Sequence, residues 1–123
     1  MLFDTSVLIA HLRGDQRATE LLLSIPTRER LASVLVRVEI EGGMRSSERA
    51  SVAGLMDALR LVPVTDAIAR RAGEHLRRYR RSHAGIDLVD YLIAATAEAH
   101  AAPLATLNVR HFPMFPDLWP AFG

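Results

Sequence analysis

The sequence predicts an α/β fold: a short parallel sheet of four to five strands with helices on both faces, a three-layer sandwich in one domain over residues 1–123. Three observations predict it. Brief apolar stretches near residues 1–3, 31–36, 61–62 and 103–106 alternate with segments whose apolar residues recur at helical spacing. Strands separated by helices pair in parallel and are covered on both sides, so they read as continuous apolar runs. A chain of 123 residues that is 50% hydrophobic and 24% charged suffices for one core and is short for two domains.

Met1-Leu2-Phe3 reads as a buried strand stopping at Asp4-Thr5-Ser6, a polar cluster able to cap a helix over residues 7–12. Gly14-Asp15 breaks that helix, and Leu21, Leu22 and Ile25 give the next, over 17–24, a buried face before Pro26 ends it. Residues 31–36 form a second strand. From Val38 the spacing turns helical through Glu39 and Glu41 to Gly42-Gly43, and another helix covers 47–59. Leu61-Val62 before Pro63 is the third strand. Residues 66–81 form a long helix with Ile68, Ala72, Leu76 and Tyr79 along one side, 88–100 the clearest helix, and 103–106 the fourth strand. The proline-spaced tail, 113–123, is expected to pack Phe115 and Trp119 onto the domain.

Composition excludes several chemistries. Without cysteine there is no disulfide, thiol nucleophile or Cys-ligated zinc. All 15 basic residues are arginine, which removes a P-loop lysine and a Schiff-base lysine. A net charge of +1 does not by itself announce a nucleic-acid binder. Every apolar run falls short of the about 20 residues a membrane span requires. No basic region precedes the apolar start, so a cytoplasmic location is expected.

Ligands of open parallel sheets bind outside the carboxyl ends of the strands. Asp4 follows the first strand, Glu39 lies a few residues beyond the second, and Asn108 stands two residues after Thr106 at the end of the fourth. Asp87 and Asp90 open the helix feeding the fourth strand, and their i, i+3 spacing places them on one face about 5 to 6 Å apart. Four carboxylates are thus expected to meet at one end of the sheet, with no arginine within three residues of Asp4, Asp87 or Asp90. A hard cation relieves such repulsion. Acids without His or Cys point to Mg2+ or Mn2+ and to phosphodiester hydrolysis by activated water. Each acid also has a structural explanation: Asp4 as a helix cap, Glu39 as a solvated helix residue, Asp87 and Asp90 as a capping box.

Four motifs in order carry a resemblance. Asp4-Thr5-Ser6-Val7-Leu8-Ile9-Ala10, Ser33 with Glu39 six residues on and Gly43 after it, Asp90-Tyr91-Leu92-Ile93-Ala94-Ala95-Thr96-Ala97, and Thr106-Leu107-Asn108-Val109-Arg110-His111-Phe112 together resemble the PIN domain, nearly end to end. Within that family the chain is similar to VapC-type toxins of bacterial type II toxin–antitoxin pairs. The resemblance implies a Mg2+- or Mn2+-dependent endoribonuclease acting on structured RNA such as tRNA or rRNA, cytoplasmic, with a VapB-like antitoxin partner that inserts a basic side chain among the acids. It implies Asp4, Glu39 and Asp90 as the family's first three acids. Where many relatives carry a last Asp, this chain has His111. Asp87 is the preferred fourth ligand, with His111 a contact to substrate or to a ligand, and Ser6, Thr106 and Asn108 orienting carboxylates or water.

Arg70, Arg71, Arg77, Arg78, Arg80 and Arg81 crowd one predicted helix around Tyr79, and Arg77, Arg78, Arg80 and Arg81 are the expected RNA contacts; a solvated helix face is the alternative. His11, His75, His83 and His100 share no ligand spacing and read as surface or core. Exposed apolar side chains on the first and last helical segments are expected to serve a homodimer and an antitoxin groove. Two rivals stay open: a PIN-like RNA-binding module with weak or no cleavage, and a metal-dependent DNA nuclease or phosphatase.

Overall fold

Strands of two or three residues have no independent stability, so the sheet depends on their pairing and on the helices that cover them. A computed structural model describes residues 1–123. The elements run β1 (Leu2–Phe3), α1 (Thr5–Leu12), α2 (Gln16–Ser24), β2 (Leu31–Ser33), α3 (Leu35–Gly43), α4 (Arg49–Asp57), β3 (Arg60–Val62), α5 (Asp66–Tyr79), α6 (Leu88–Ala99) and β4 (Leu104–Ala105). The four strands are parallel in the order β3-β2-β1-β4, with Leu2 opposite both Leu31 and Leu104, and Ser33 opposite Val62.

That order reverses direction once. The chain steps outward from β1 through β2 to β3 and then returns across the sheet to the far side of β1. Right-handed crossovers accordingly put α1 to α4 on one face and α5 and α6 on the other. The main core joins Leu2, Phe3, Ala32 and Ala105 of the strands to Val7 and Leu8 of α1, Ala18 of α2, Val36 of α3 and Val52 of α4, and to Ile93, Ala94 and Ala97 of α6. Ile68 and Ala72 of α5 pack on Tyr91 and Ala95 of α6 as a smaller cluster. The reversal leaves a crevice between the carboxyl ends of β1 and β4, where Asp4 and Thr106 stand.

The architecture is the expected one, with four strands and shifted boundaries. β2 ends at Ser33 rather than at residue 36, because Val34 already has helical dihedrals and the Ser33 hydroxyl accepts the Leu35 N–H at 3.2 Å to start α3. An apolar run covering a buried strand and the first turn of a buried helix carries no period to separate them. α4 begins at Arg49 after a 3-10 turn, and α5 stops at Tyr79, leaving Arg80 and Arg81 beyond the helix. The tail differs in one respect. Phe115 and Phe122 pack against the core, but Trp119 is 81% exposed. The large exposed apolar side chains, Leu23, Val34, Val38, Leu88 and Trp119, lie on α2, around the start of α3, at the first residue of α6 and on the tail, none of them on α1.

α6 ends in a reciprocal pair of bonds, Ala101 N–H to the Glu98 carbonyl at 3.1 Å and Ala102 N–H to that of Ala97 at 3.0 Å, which requires a left-handed residue at Ala101 (φ 48°). Alanine is strained there by about 1 to 2 kcal/mol. Ala101→Gly is therefore expected to raise stability by up to about 1 kcal/mol after the unfolded-state entropy of glycine is deducted, read as a higher urea midpoint at unchanged slope.

Candidate active site

Asp4 is the first residue after β1, in extended conformation, with its N–H bonded to the Ala105 carbonyl at 2.9 Å. It sits where a helix cap would, yet its carboxylate does not cap α1. Instead Oδ2 accepts the Thr106 hydroxyl at 2.7 Å and the Ser6 hydroxyl at 2.9 Å. Those hydroxyls are themselves held: Ser6 Oγ accepts Leu107 N–H at 3.0 Å, and Thr106 Oγ1 accepts Asn108 N–H at 3.0 Å. The carboxyl ends of β1 and β4 thus grip one oxygen of a nearly buried carboxylate (Asp4 is 6% exposed) and leave Oδ1 without a donor. Asn108 contributes through its backbone.

Asp90 arrives on the first turn of α6. Its Oδ2 accepts the N–H of Asp87 at 3.1 Å, the capping interaction, and lies 3.2 Å from Nδ1 of His111. Again the second oxygen has no donor. Burial is the main cause that pushes the Asp90 carboxyl above its ordinary value; the Asp87 N–H and the charge of His111 oppose it, and the negative charges of Asp4 and Asp87 add to it. Asp4, Asp87 and Asp90 therefore share one neighbourhood. Asp87 itself is exposed at the start of α6.

Glu39 stands differently. It lies on the second turn of α3, exposed, and Oε1 accepts the Thr5 hydroxyl at 2.7 Å, so it is tied to the residue next to Asp4. It also borders a cavity of about 210 Å³ with Ile9, Arg13 and Met44. Thr5 was not singled out in the sequence; the signal for it is the hydroxyl directly after the strand-end acid. No three of the acids and histidines stand close enough to enclose an ion by themselves. The donor set at Asp4 and Asp90 nevertheless suits a hard divalent cation, since each acid spends one oxygen on the protein and keeps one. Mg2+ characteristically takes one or two carboxylates and completes its shell with water and phosphate oxygens.

The arginine stripe divides. Arg71 is committed to Glu98 at 3.0 Å and Glu74 at 2.7 Å, and Arg70 faces Asp66 at 3.8 Å. Arg77, Arg78, Arg80 and Arg81 are exposed without a carboxylate partner, with the Arg78 guanidinium 5.4 Å from the Tyr79 ring centre. His75 is buried and bonded to Glu98 across α5 and α6. Burial pushes Glu98 up, but bonds from Arg71 and His75 prevail and hold it below the usual value. The group ties the two helices together.

Residues 1–114 match the PIN domain family. Ribonuclease VapC10 of Mycobacterium tuberculosis H37Rv is 54% identical over 124 residues, which cover 100% of this chain and 93% of that protein. Ribonuclease VapC19 of the same strain is 50% identical over 123 residues, 98% of each chain. Among solved structures, a toxin–antitoxin complex from Klebsiella pneumoniae matches with a TM-score of 0.82 at 24% identity, over 98% of this chain and 97% of that one. DNA-bound VapBC from Salmonella typhimurium matches with a TM-score of 0.79 at 21% identity, over 95% and 92%. At those identities the structural likeness is one of fold.

The raised Asp90 carboxyl, pushed up first by burial, has a measurable consequence. A carboxyl raised in the folded state stabilises below the unfolded value and loses that contribution as pH rises through the folded one. Asp90→Asn, which keeps an acceptor for the Asp87 N–H, should therefore raise the urea midpoint of metal-free protein at neutral pH. The gain should shrink as pH falls into the carboxylate range. A variant less stable than wild type at neutral pH would contradict the upward shift of Asp90.

Proposed function

The chain belongs to the PIN domain family, and from that premise we propose that it is a divalent-metal-dependent endoribonuclease, the toxin of a toxin–antitoxin pair. The observation that carries the reading is the pair of half-satisfied carboxylates, Asp4 and Asp90, at the reversal of the sheet. The named ribonucleases at 50% and 54% identity support the activity.

Asp4 and Asp90 would hold the ion, Mg2+ or Mn2+, with Glu39 across the site through Thr5 and Asp87 at its outer edge. When bound, the cation supplies charge to neutralise the scissile phosphate and lowers the pKa of a water for in-line attack. The protein's own work is positional. Thr106 and Ser6 fix Asp4 so that its free oxygen needs no reorganisation, and the Asp87 N–H and His111 do the same for Asp90. Glu39, with one oxygen on Thr5, would accept a proton through water from an attacking group. The exposed arginines at the end of α5 and beyond it would screen RNA phosphates. Structured RNA such as tRNA or rRNA is the proposed substrate class.

A proteinaceous partner follows from the same family logic. The complexes that share this fold are toxin–antitoxin assemblies, and Leu23, Val38 and Leu88 offer apolar surface for an antitoxin or a second copy. No helix is long and apolar enough to cross a membrane.

Purified protein should cut RNA with Mn2+ or Mg2+ and leave DNA of the same sequence and a phosphomonoester untouched. Asp4→Asn and Asp90→Asn should each lower the cleavage rate by at least about 100-fold, the scale of losing one preorganised electrostatic group, with circular dichroism unchanged. His111→Ala compared with Asp87→Asn identifies the fourth position. Wild-type cleavage in Asp4→Asn and Asp90→Asn would refute the assignment, and tight RNA binding without cleavage under every metal would favour a binding module.

A further inference from the structure

Beside the acids lies a cleft of about 600 Å³ between two loops: Ser82, His83 and Gly85 of the α5–α6 connection on one wall, Arg110, His111 and Pro113 after β4 on the other. Its lining includes one arginine, Arg110, two histidines and no acidic residue. That sets it apart from the polar cavity of about 610 Å³ at Arg71 and Arg78, whose walls also contain Glu74 and Glu98, both bound to Arg71. Both walls are anchored. Ser82 Oγ lies 2.8 Å from His83 Nδ1, the His83 ring stands edge-on to Tyr79 with centres 5.4 Å apart, and Gly85 turns the chain with φ +91°. On the opposite wall His111 N–H bonds the Asn108 carbonyl at 2.9 Å.

Continuity with the acids gives the cleft its meaning. His111 lines it and contacts Asp90 Oδ2 at 3.2 Å, so it opens directly beside the carboxylate pair. Arg110, next along the chain, is exposed and has no carboxylate partner. Arg80 and Arg81, also unpaired, lead into the facing wall. A cleft that offers an unpaired arginine and no acid, bordering the acids, suits a polyanionic strand whose scissile phosphate lies at the acids and whose next phosphate lies beyond them. Arginine remains charged at any working pH and presents a fork of donors to phosphate.

We propose that this cleft is a subsite for a phosphate of the RNA strand flanking the scissile bond, with Arg110 as its principal cation and His111 as the wall joining it to the acids. The assignment deepens the ribonuclease reading and rests on it. It names the strand's path at the acids: across the β4 turn and the α5–α6 loop, and not over Arg71 and its carboxylates.

The test measures binding of a single-stranded oligoribonucleotide by fluorescence anisotropy across a salt titration, in an Asp4→Asn background so that the RNA stays intact. Arg110→Ala should weaken binding and reduce the slope of log K against log salt by about 0.7, the loss of one phosphate contact on a single strand. Arg28→Ala, exposed on the turn before β2 and so at the amino end of the parallel strands, away from the acids, should leave the slope unchanged. In the otherwise wild-type enzyme, Arg110→Ala should raise KM for the oligonucleotide more than it lowers kcat. An unchanged slope in Arg110→Ala, or an equal loss in Arg28→Ala, would overturn the subsite while wild-type cleavage leaves the ribonuclease reading standing. DNA bound with the same Arg110 dependence would overturn its assignment to RNA. Absence of RNA binding and cleavage by the wild type would remove both.

Discussion

The organising constraint is electrostatic: a nearly buried carboxylate, Asp4, is held at the end of the central strand beside a second, half-buried one, Asp90, whose proton affinity rises through burial first and the charges of Asp4 and Asp87 after it. An apolar core alone does not favour that arrangement, since burying like charges opposes folding. It persists because hydroxyls and a helix-start N–H satisfy one oxygen of each acid, leaving the other pair of oxygens for a ligand of opposite charge. Stability given up in the free protein is recovered when such a ligand binds, by mass action.

Topology makes the meeting possible. Asp4 and Thr106 are about a hundred residues apart in the chain, and they touch because β4 crosses to the free edge of β1. The same return path lays α6 under the sheet with its first turn, and so Asp90, near the strand ends. His111 follows β4 within one 3-10 turn, which explains how a residue outside the acid set comes to contact one. Short strands and fixed crossovers therefore do more for the site than any single helix propensity.

Much of this was legible in the sequence, and the limits are physical. The order of strands and helices followed from apolar periodicity, and strand-end acids followed from the geometry of open sheets. The β2–α3 boundary was not legible, because Val34, Leu35 and Val36 suit a buried strand as well as the start of a buried helix. The tie of Glu39 to Thr5 was also hidden: spacing along α3 gives the helical face but not the hydroxyl its carboxylate reaches. Trp119 shows the converse limit, since a large aromatic residue in a proline-spaced tail carries no periodicity, and the structure exposes it while Phe115 and Phe122 of the same tail pack against the core. The arginines around Tyr79 look alike in sequence, and only their partners distinguish Arg71, bound to two carboxylates, from Arg78, which meets none.

The most direct measurement is the anomalous scattering of crystals soaked in MnCl2. The account predicts a manganese peak in contact with the free oxygens of Asp4 and Asp90, with water completing its shell, and its disappearance in Asp4→Asn crystals. A peak instead at Glu98 and His75, or full occupancy retained after Asp4→Asn, would contradict it.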